Sequence, residues 1–327
     1  MDAPEALLLL PRLRVQNANA LSGPLTWGFP AVTAFTGFVQ ALELKLREEL
    51  DIQLAGVAIV CHHHQAQTSV PAGKRTRVFH LTRNPVGKDG ATAAIVEEGR
   101  IHLDVSLLIG VSGTALYDSQ QEPAAIAQRA WDLALGMRLA GGSLLPPTWA
   151  LGKRQRPLLE LWPGTPEEEV QLSRRLTRRL LPGFALIPRA DLLAQRTATL
   201  QTQDAGLTSL EALLDLTRLN VDPPGTADEH GNPRTDWHLR PRAGWLVPIP
   251  LGYRSLAAHP PGSVRNARDR SLPFHFVESL YGLGEWRSPH RFTDIRQLLW
   301  YHQADPDAGL YRCTTPFLDL AALAALA

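Results

Sequence analysis

Cysteine is nearly absent: Cys61 and Cys313 are the only two in 327 residues, far apart and without a paired spacing. Two isolated thiols exclude a disulfide framework and a cysteine-rich zinc ribbon. Lysine is scarce as well, confined to Lys45, Lys74, Lys88 and Lys153, so arginine supplies almost all of the positive charge. Guanidinium groups favour planar, bidentate contact with phosphate and stacking on bases over the point-charge contacts of lysine. The leucine run 7–10 is bounded by Glu5 and Arg12, far short of the roughly 20 apolar residues that cross a bilayer. The first 30 residues lack a basic stretch leading into a continuous apolar segment, the pattern of a secretory leader. The expected location is therefore cytoplasmic and reducing, with no membrane partner. Catalytic signatures are missing too. There is no HExxH and no nucleophile elbow, and AGK at 72–74 lacks both the preceding glycine spacing and the following Ser or Thr of a Walker loop. What is present is an apolar content of 44%, enough to bury the core of one large domain or two.

The formal charge of +1 hides a segregation of signs. Lys74, Arg75, Arg77 and Arg83 stand together without an intervening acid, followed by Lys153, Arg154 and Arg156, and then by Arg174, Arg175, Arg178 and Arg179. Acids gather elsewhere, at Glu43, Glu48, Glu49 and Asp51 and at Glu167, Glu168 and Glu169. Separated charge of this kind predicts a basic groove for phosphates and an acidic face for a basic protein.

Hydrophobic patterning predicts an α+β fold. An apolar strand at Leu7–Val15 leads through a polar turn to a helix starting near Thr33, the first half of a ferredoxin-like β-α-β layout. A second strand is expected near Val57–Cys61 and a third at 101–111. Between them, 68–100 is rich in Gly, Lys, Arg and Thr and poor in bulky apolar residues, as expected of a long functional excursion. A helix from Pro123 is expected to run to the glycines at 141 and 142. The Arg-rich helix 167–181 then precedes a strand, FALIP at 184–188, expected to complete the sheet. Residues 190–219 read as helical, with Leu192, Leu193, Leu210, Leu213, Leu214 and Leu216 as the buried positions. Residues 221–243 read as a loop, and GWLVPIP at 244–250 as a short edge strand because of Pro248 and Pro250. The segment 292–303 reads as an amphipathic helix capped by Thr293 or Asp294.

Several residues have the chemistry of a nucleic-acid interface. In PAGKRTRVFHLTRNPVGKDG, cations alternate with Phe79 and turn residues, a pattern that suits a β-hairpin laid over a phosphate backbone as well as a solvated loop. On a helix, Arg174 and Arg178 fall at i, i+4, as do Arg175 and Arg179, giving a positive face with no carboxylate on it that a bound anion would relieve. Arg138, Gly141, Gly142 and Ser143 fit either a backbone loop that approaches phosphate or a glycine helix end. Arg265, Arg268 and Arg270 are further candidates, with Asp269 available to pair with one of them. Asn17 and Asn19 follow the first strand, where their amides either read base edges or close Asx turns. His62, His63 and His64 lack companions at ligand spacing, so neither a metal nor a cofactor is expected. Trp27, Phe29 and Trp286 read first as packing residues and second as stacking platforms for bases.

The words QNANA (16–20), PLTWGFP (24–30), AFTGF (34–38), PAGKRTRVF (71–79), LTRNP (81–85) and TAAIVEEGR (92–100) occur in order with five more. These are MRLAGGS (137–143), RRLTRRLLPGFAL (174–186), GWLVPIP (244–250), VRNARDR (264–270) and GLGEW (282–286). Together they resemble, over nearly the whole chain, the Cas-five-type subunits of type I-F (Csy) CRISPR surveillance complexes. The resemblance implies a modified ferredoxin-like (RRM-like, RAMP) core at 1–67 and 101–190, a basic β-hairpin thumb at 68–100, and a helical and irregular C-terminal portion at 191–327. It implies a non-catalytic RNA-binding role in antiviral defence. The partners would be the large Csy subunit, as a heterodimer capping the 5′ handle of the CRISPR RNA, the terminal backbone Csy subunit reached by the thumb, and target DNA through the complex. Distant Cas-five-type proteins of another subtype cleave guide precursors with a Tyr, Lys and His set; in the subtype resembled here a separate endoribonuclease does so. The rival roles are an endoribonuclease using a histidine of 62–64 and a protein scaffold without RNA contact.

Overall fold

The computed structural model describes residues 3–83, 85–147, 152, 155–222 and 237–317. Strand β1 (Ala6–Asn19) opens the fold and is apolar at every position from Ala6 to Leu10 because both of its faces are covered. Leu8 and Leu10 enter one core and Leu7 and Leu9 another. From Leu13 onward it alternates, with Leu13, Val15 and Ala18 buried and Arg14, Gln16 and Asn19 exposed. Helix α1 (Val32–Leu46) buries Val32, Phe35, Val39, Leu42 and Leu46, a stripe at helical spacing. Strands β2 (Gln53–Ala66) and β3 (Arg100–Ser112) follow, then helix α2 (Pro123–Leu135), the short strands β4 (Arg138–Leu139), β5 (Gly142–Leu145) and β6 (Leu158–Leu161), and helix α3 (Pro166–Leu180). Strand β7 (Phe184–Pro188), helices α4 (Ala190–Gln201) and α5 (Ser209–Thr217), and strands β8 (Trp245–His259), β9 (Phe274–Arg287), β10 (Tyr301–Asp305) and β11 (Leu310–Thr314) complete the chain.

These eleven strands form one antiparallel sheet in the order β4-β5-β1-β3-β2-β7-β9-β8-β11-β10, with β6 pairing the start of β1 beside β5, and four small two-stranded ladders lie apart from it among the described residues. Helices α1 and α2 cover one face of its first half over a core that includes Phe35, Leu42, Ile126 and Trp131. Helix α3 and the segment 292–301 cover the opposite face over Leu172, Leu176, Leu180, Ile295 and Leu298.

Five expectations change. The sheet does not end at β7. The C-terminal portion, expected to be helical and irregular, adds β8 to β11, and GWLVPIP begins a strand of 15 residues. Its prolines still obey the edge rule locally: β8 pairs along its length with β9, while β11 joins its other side only at Gly252–Arg254. Second, 292–303 is not a helix. Leu298, Leu299 and Trp300 are buried in succession, which one helix face cannot achieve, and the chain forms a 3-10 turn at Ile295–Leu298 before β10. Trp300 Nε1 donates to the Leu186 carbonyl at 2.8 Å, and Asp294 accepts from the Arg296 backbone N–H at 2.8 Å. Third, α2 stops at Leu135, so RLAGGS is no helix end; Ala140 and Gly141, at φ 49° and 77°, turn the tight β4–β5 hairpin. Fourth, the excursion holds two small ladders instead of one hairpin. Thr68–Ser69 pairs with Val78–Phe79 and Leu81–Arg83 with Ile95–Glu97. The Glu97 carboxylate accepts from the Phe79 N–H at 3.1 Å, joining the two. Fifth, in the helical 190–219 region Leu213 is buried, but Leu210 and Leu214 are exposed.

Candidate nucleic-acid interface

The register of β1 gathers one set of the predicted residues. Gln16 pairs with Ser143, and the Asn19 N–H donates to the Ala140 carbonyl at 2.8 Å, so the end of β1 and the β4–β5 hairpin form one corner. Asn19, Arg138 and Gly141 line a groove of about 760 Å³ there, together with the first turn of α1 and the rings of Tyr253 and Tyr311. The turn admits only small residues. A Cβ at Gly142 would lie 2.7 Å from the Gln16 carbonyl oxygen and 2.8 Å from the Ala18 nitrogen, whereas Gly141 faces open space in a left-handed conformation. Arg138 donates to the Gly141 carbonyl at 2.7 Å, holding its guanidinium at the groove. Asn17, at φ 57°, belongs to a different cluster: its backbone N–H donates to His102 Nδ1 at 3.2 Å and its side-chain oxygen accepts from Gln67. Asn19 closes an Asx turn with both the N–H and the carbonyl of Leu21, so its side chain has the turn-forming role.

The cations are dispersed and not equivalent. Lys74, Arg75 and Arg77 are exposed on the first ladder of the excursion, Arg77 donating to Thr68 Oγ1 at 3.4 Å. Arg83 ends the second ladder's first strand, its side chain lying outside the described residues, as do Lys153 and Arg154. The expectation that the α3 arginines have no carboxylate partner is overturned at Arg175. Arg175 pairs at 2.9 Å with Glu160, which β6 brings alongside. Arg179 is partly buried and holds the Arg156 carbonyl, and burial pulls its pKa below the usual arginine value. Arg174 and Arg178 are exposed and make no ion pair among the described residues. Arg178 borders a groove of about 630 Å³ with Phe184 and His290. Arg265, Arg268 and Arg270 lie in the loop joining β8 to β9, and Asp269 accepts from Ser271 at 2.8 Å instead of pairing with an arginine.

A second feature is an aromatic cleft of about 560 Å³ at the end of β2. Phe29 meets Trp286 edge-on with centroids 4.8 Å apart and stacks on Phe35 at 5.5 Å, which is the expected packing role. Trp27, in contrast, is 60% exposed and touches Phe79 of the excursion at 5.6 Å. Phe184 and Trp245, 5.5 Å apart, complete the walls. These two rings were not singled out in the sequence, where the signal available was a large ring as the first residue of a strand, in the case of Phe184 one that is otherwise buried. Of the three histidines, His62 is fixed, with Nδ1 2.6 Å from the Pro182 carbonyl and Nε2 2.7 Å from Ser106 Oγ; burial lowers its pKa. His64 is exposed on the cleft wall. Burial, reinforced by the charge of Asp104, pushes the Cys61 thiol up to about 12, which keeps it protonated at neutral pH. Among the described residues no three His, Cys, Asp or Glu side chains come together as metal ligands, and no helix is long and apolar enough to cross a membrane.

The chain resembles a known protein along almost its whole length. It is 57% identical over 318 residues to the CRISPR-associated protein Csy2 of Pseudomonas aeruginosa (strain UCBPP-PA14), covering 96% of each chain. The family model described as CRISPR-associated protein (Cas_Csy2) matches residues 8–313, so the chain belongs to the Csy2 family.

Proposed function

We propose that the chain is the non-catalytic RNA-binding subunit of a type I-F (Csy) CRISPR surveillance complex, a Cas-five-type protein that pairs with the large subunit to cap the 5′ handle of the CRISPR RNA. The observation that carries this is the family match along almost the entire chain. The strand order supports a ferredoxin-like, RAMP-type core: β1-α1-β2-β3-α2 followed by β5, with β5 beside β1, β1 beside β3 and β3 beside β2. The groove at Asn19, Arg138 and Gly141 offers a phosphate backbone a small-residue turn and a guanidinium. The excursion at 68–100 would fold over the guide toward the terminal backbone subunit. Target DNA would be read by base pairing to the guide, the proteins contacting backbone and shape. Full engagement of both His62 ring nitrogens favours a packing role over a general-base role for that residue.

The test is to purify the complex from cells that contain a guide and sequence the RNA that accompanies it. The expected result is one guide species with a common 5′ end. Replacing Lys74, Arg75, Arg77 and Arg83 with Ala should also lower the salt dependence of guide retention by about 0.7 in log–log slope per lost contact. Complex that forms without RNA would establish the scaffold role. Cutting of a guide precursor by the purified chain, abolished when His62, His63 and His64 become Ala, would establish the endoribonuclease.

A further inference from the structure

The aromatic cleft and the Arg178 groove share a wall, the ring of Phe184. Trp245, 52% exposed, and Trp27 line the first hollow with it, and the guanidinium of Arg178, with no ion pair among the described residues, borders the second. We infer that this pair of hollows is a nucleotide site, taking one unstacked base of single-stranded RNA on the exposed rings of Trp245 and Trp27 and the adjoining phosphate at Arg178. This rests on the proposed RNA-binding role and assigns it a place apart from the Asn19–Gly141 groove.

Three observations favour a base over an apolar side chain of a partner protein. The exposed rings lining the cleft, Trp27, Phe184 and Trp245, are aromatic, and stacking on such faces accepts any base. The cleft wall also carries a polar group, the exposed His64, for which an apolar occupant would offer no partner. The contact between Trp27 and Phe79 also joins the cleft to the cationic excursion, two residues after Arg77. A chain of phosphates passing Lys74, Arg75 and Arg77 is therefore led to the cleft's mouth.

The test uses the assembled complex with its guide RNA. Trp245→Ala and Trp27→Ala, both at exposed positions, should each weaken guide retention by roughly 5- to 150-fold, the range of one base–aromatic stack. Trp245→Phe should restore most of the loss, and ultraviolet cross-linking should join guide RNA to the peptide containing Trp245. Arg178→Glu should weaken retention and add less when combined with Trp245→Ala than it does alone. Unchanged retention in both alanine variants, with unchanged melting temperature, overturns the nucleotide site while leaving RNA binding elsewhere intact. Cross-links from Trp245 to another subunit assign the cleft to a protein side chain and overturn it equally. Complex that contains no RNA removes the underlying role itself.

Discussion

His62 accepts at Nε2 the Ser106 hydroxyl hydrogen while its Nδ1–H donates to the Pro182 carbonyl; Ser106 Oγ in turn accepts from the Arg12 backbone N–H at 3.0 Å. Protonation would put a second N–H where the ring now accepts, and burial already depresses the folded-state pKa. A histidine with a depressed pKa binds its proton more readily when unfolded, so its stabilisation is complete above the unfolded value of about 6.5 and is lost as pH falls below it. Thermal melts should therefore show the protein losing stability between pH 7 and pH 5, with a smaller loss in His62→Gln; parallel profiles would mean the ring stays solvated. The adjacent glycines of the β4–β5 turn separate two other residue-level effects. Gly141→Ala meets nothing within 4 Å and should cost about 1 kcal/mol for its left-handed backbone. Gly142→Ala places a methyl against the backbone of β1 and should cost about 2–3 kcal/mol. If the groove holds RNA, the second should also weaken guide retention more than its change in melting temperature accounts for.

Helix α3 shows how an element divides one kind of residue between two tasks. Arg175 and Arg179 are engaged by Glu160 and the Arg156 carbonyl, whereas Arg174 and Arg178 face outward. Arg174→Glu with Arg178→Glu should leave stability within about 0.5 kcal/mol of the parent, as exposed helical substitutions do, and should lower guide affinity. Arg179→Ala removes a partly buried side chain that holds the Arg156 carbonyl and should lower the melting temperature more than the Arg174, Arg178 pair does, and an intact melting temperature in that variant would remove its structural role. The spacing of these four arginines was legible in the sequence, but their partners were not, because β6 and the chain before it become neighbours of α3 only through the sheet. Strand β1, helix α1 and the long excursion were legible for local reasons, having strong periodicity or none. Strands β8 and β9 were obscured because their outer halves are exposed on most positions and carry no clear alternation. The cleft was harder still, since its rings come from residues 27, 29, 184, 245 and 286.

At the scale of the whole molecule, the two halves of the sequence share one sheet. Val57 and Trp300 exchange backbone hydrogen bonds at 2.9 Å, and β9 extends the sheet from β7 through four paired positions. Ile295, Leu298, Leu299 and Trp300 are 0% exposed, and Ile295, Leu298 and Leu299 share their core with residues of β1, β2 and α3. A chain cut after residue 190 would expose that apolar surface and the edge of β7 at once. It should be insoluble or lack a cooperative melt, while the full chain melts in a single transition. A soluble, cooperatively folding 1–190 fragment would show that the halves are separate folding units.

The outer edge of β1 is divided: Ala6–Leu9 pair with β6, and Arg14–Gln16 pair with the β4–β5 hairpin. The first ladder runs beneath α3, whereas the second holds a small hairpin by three paired positions. Each can therefore open without the other, and amide hydrogens should report two lifetimes along a single strand. Deuterium should enter 138–145 well before Leu7–Leu10, and equal protection would show that the edge opens as a whole. Brief release of that hairpin would give an incoming strand a way into the Asn19 corner at equilibrium, with the rest of the fold undisturbed.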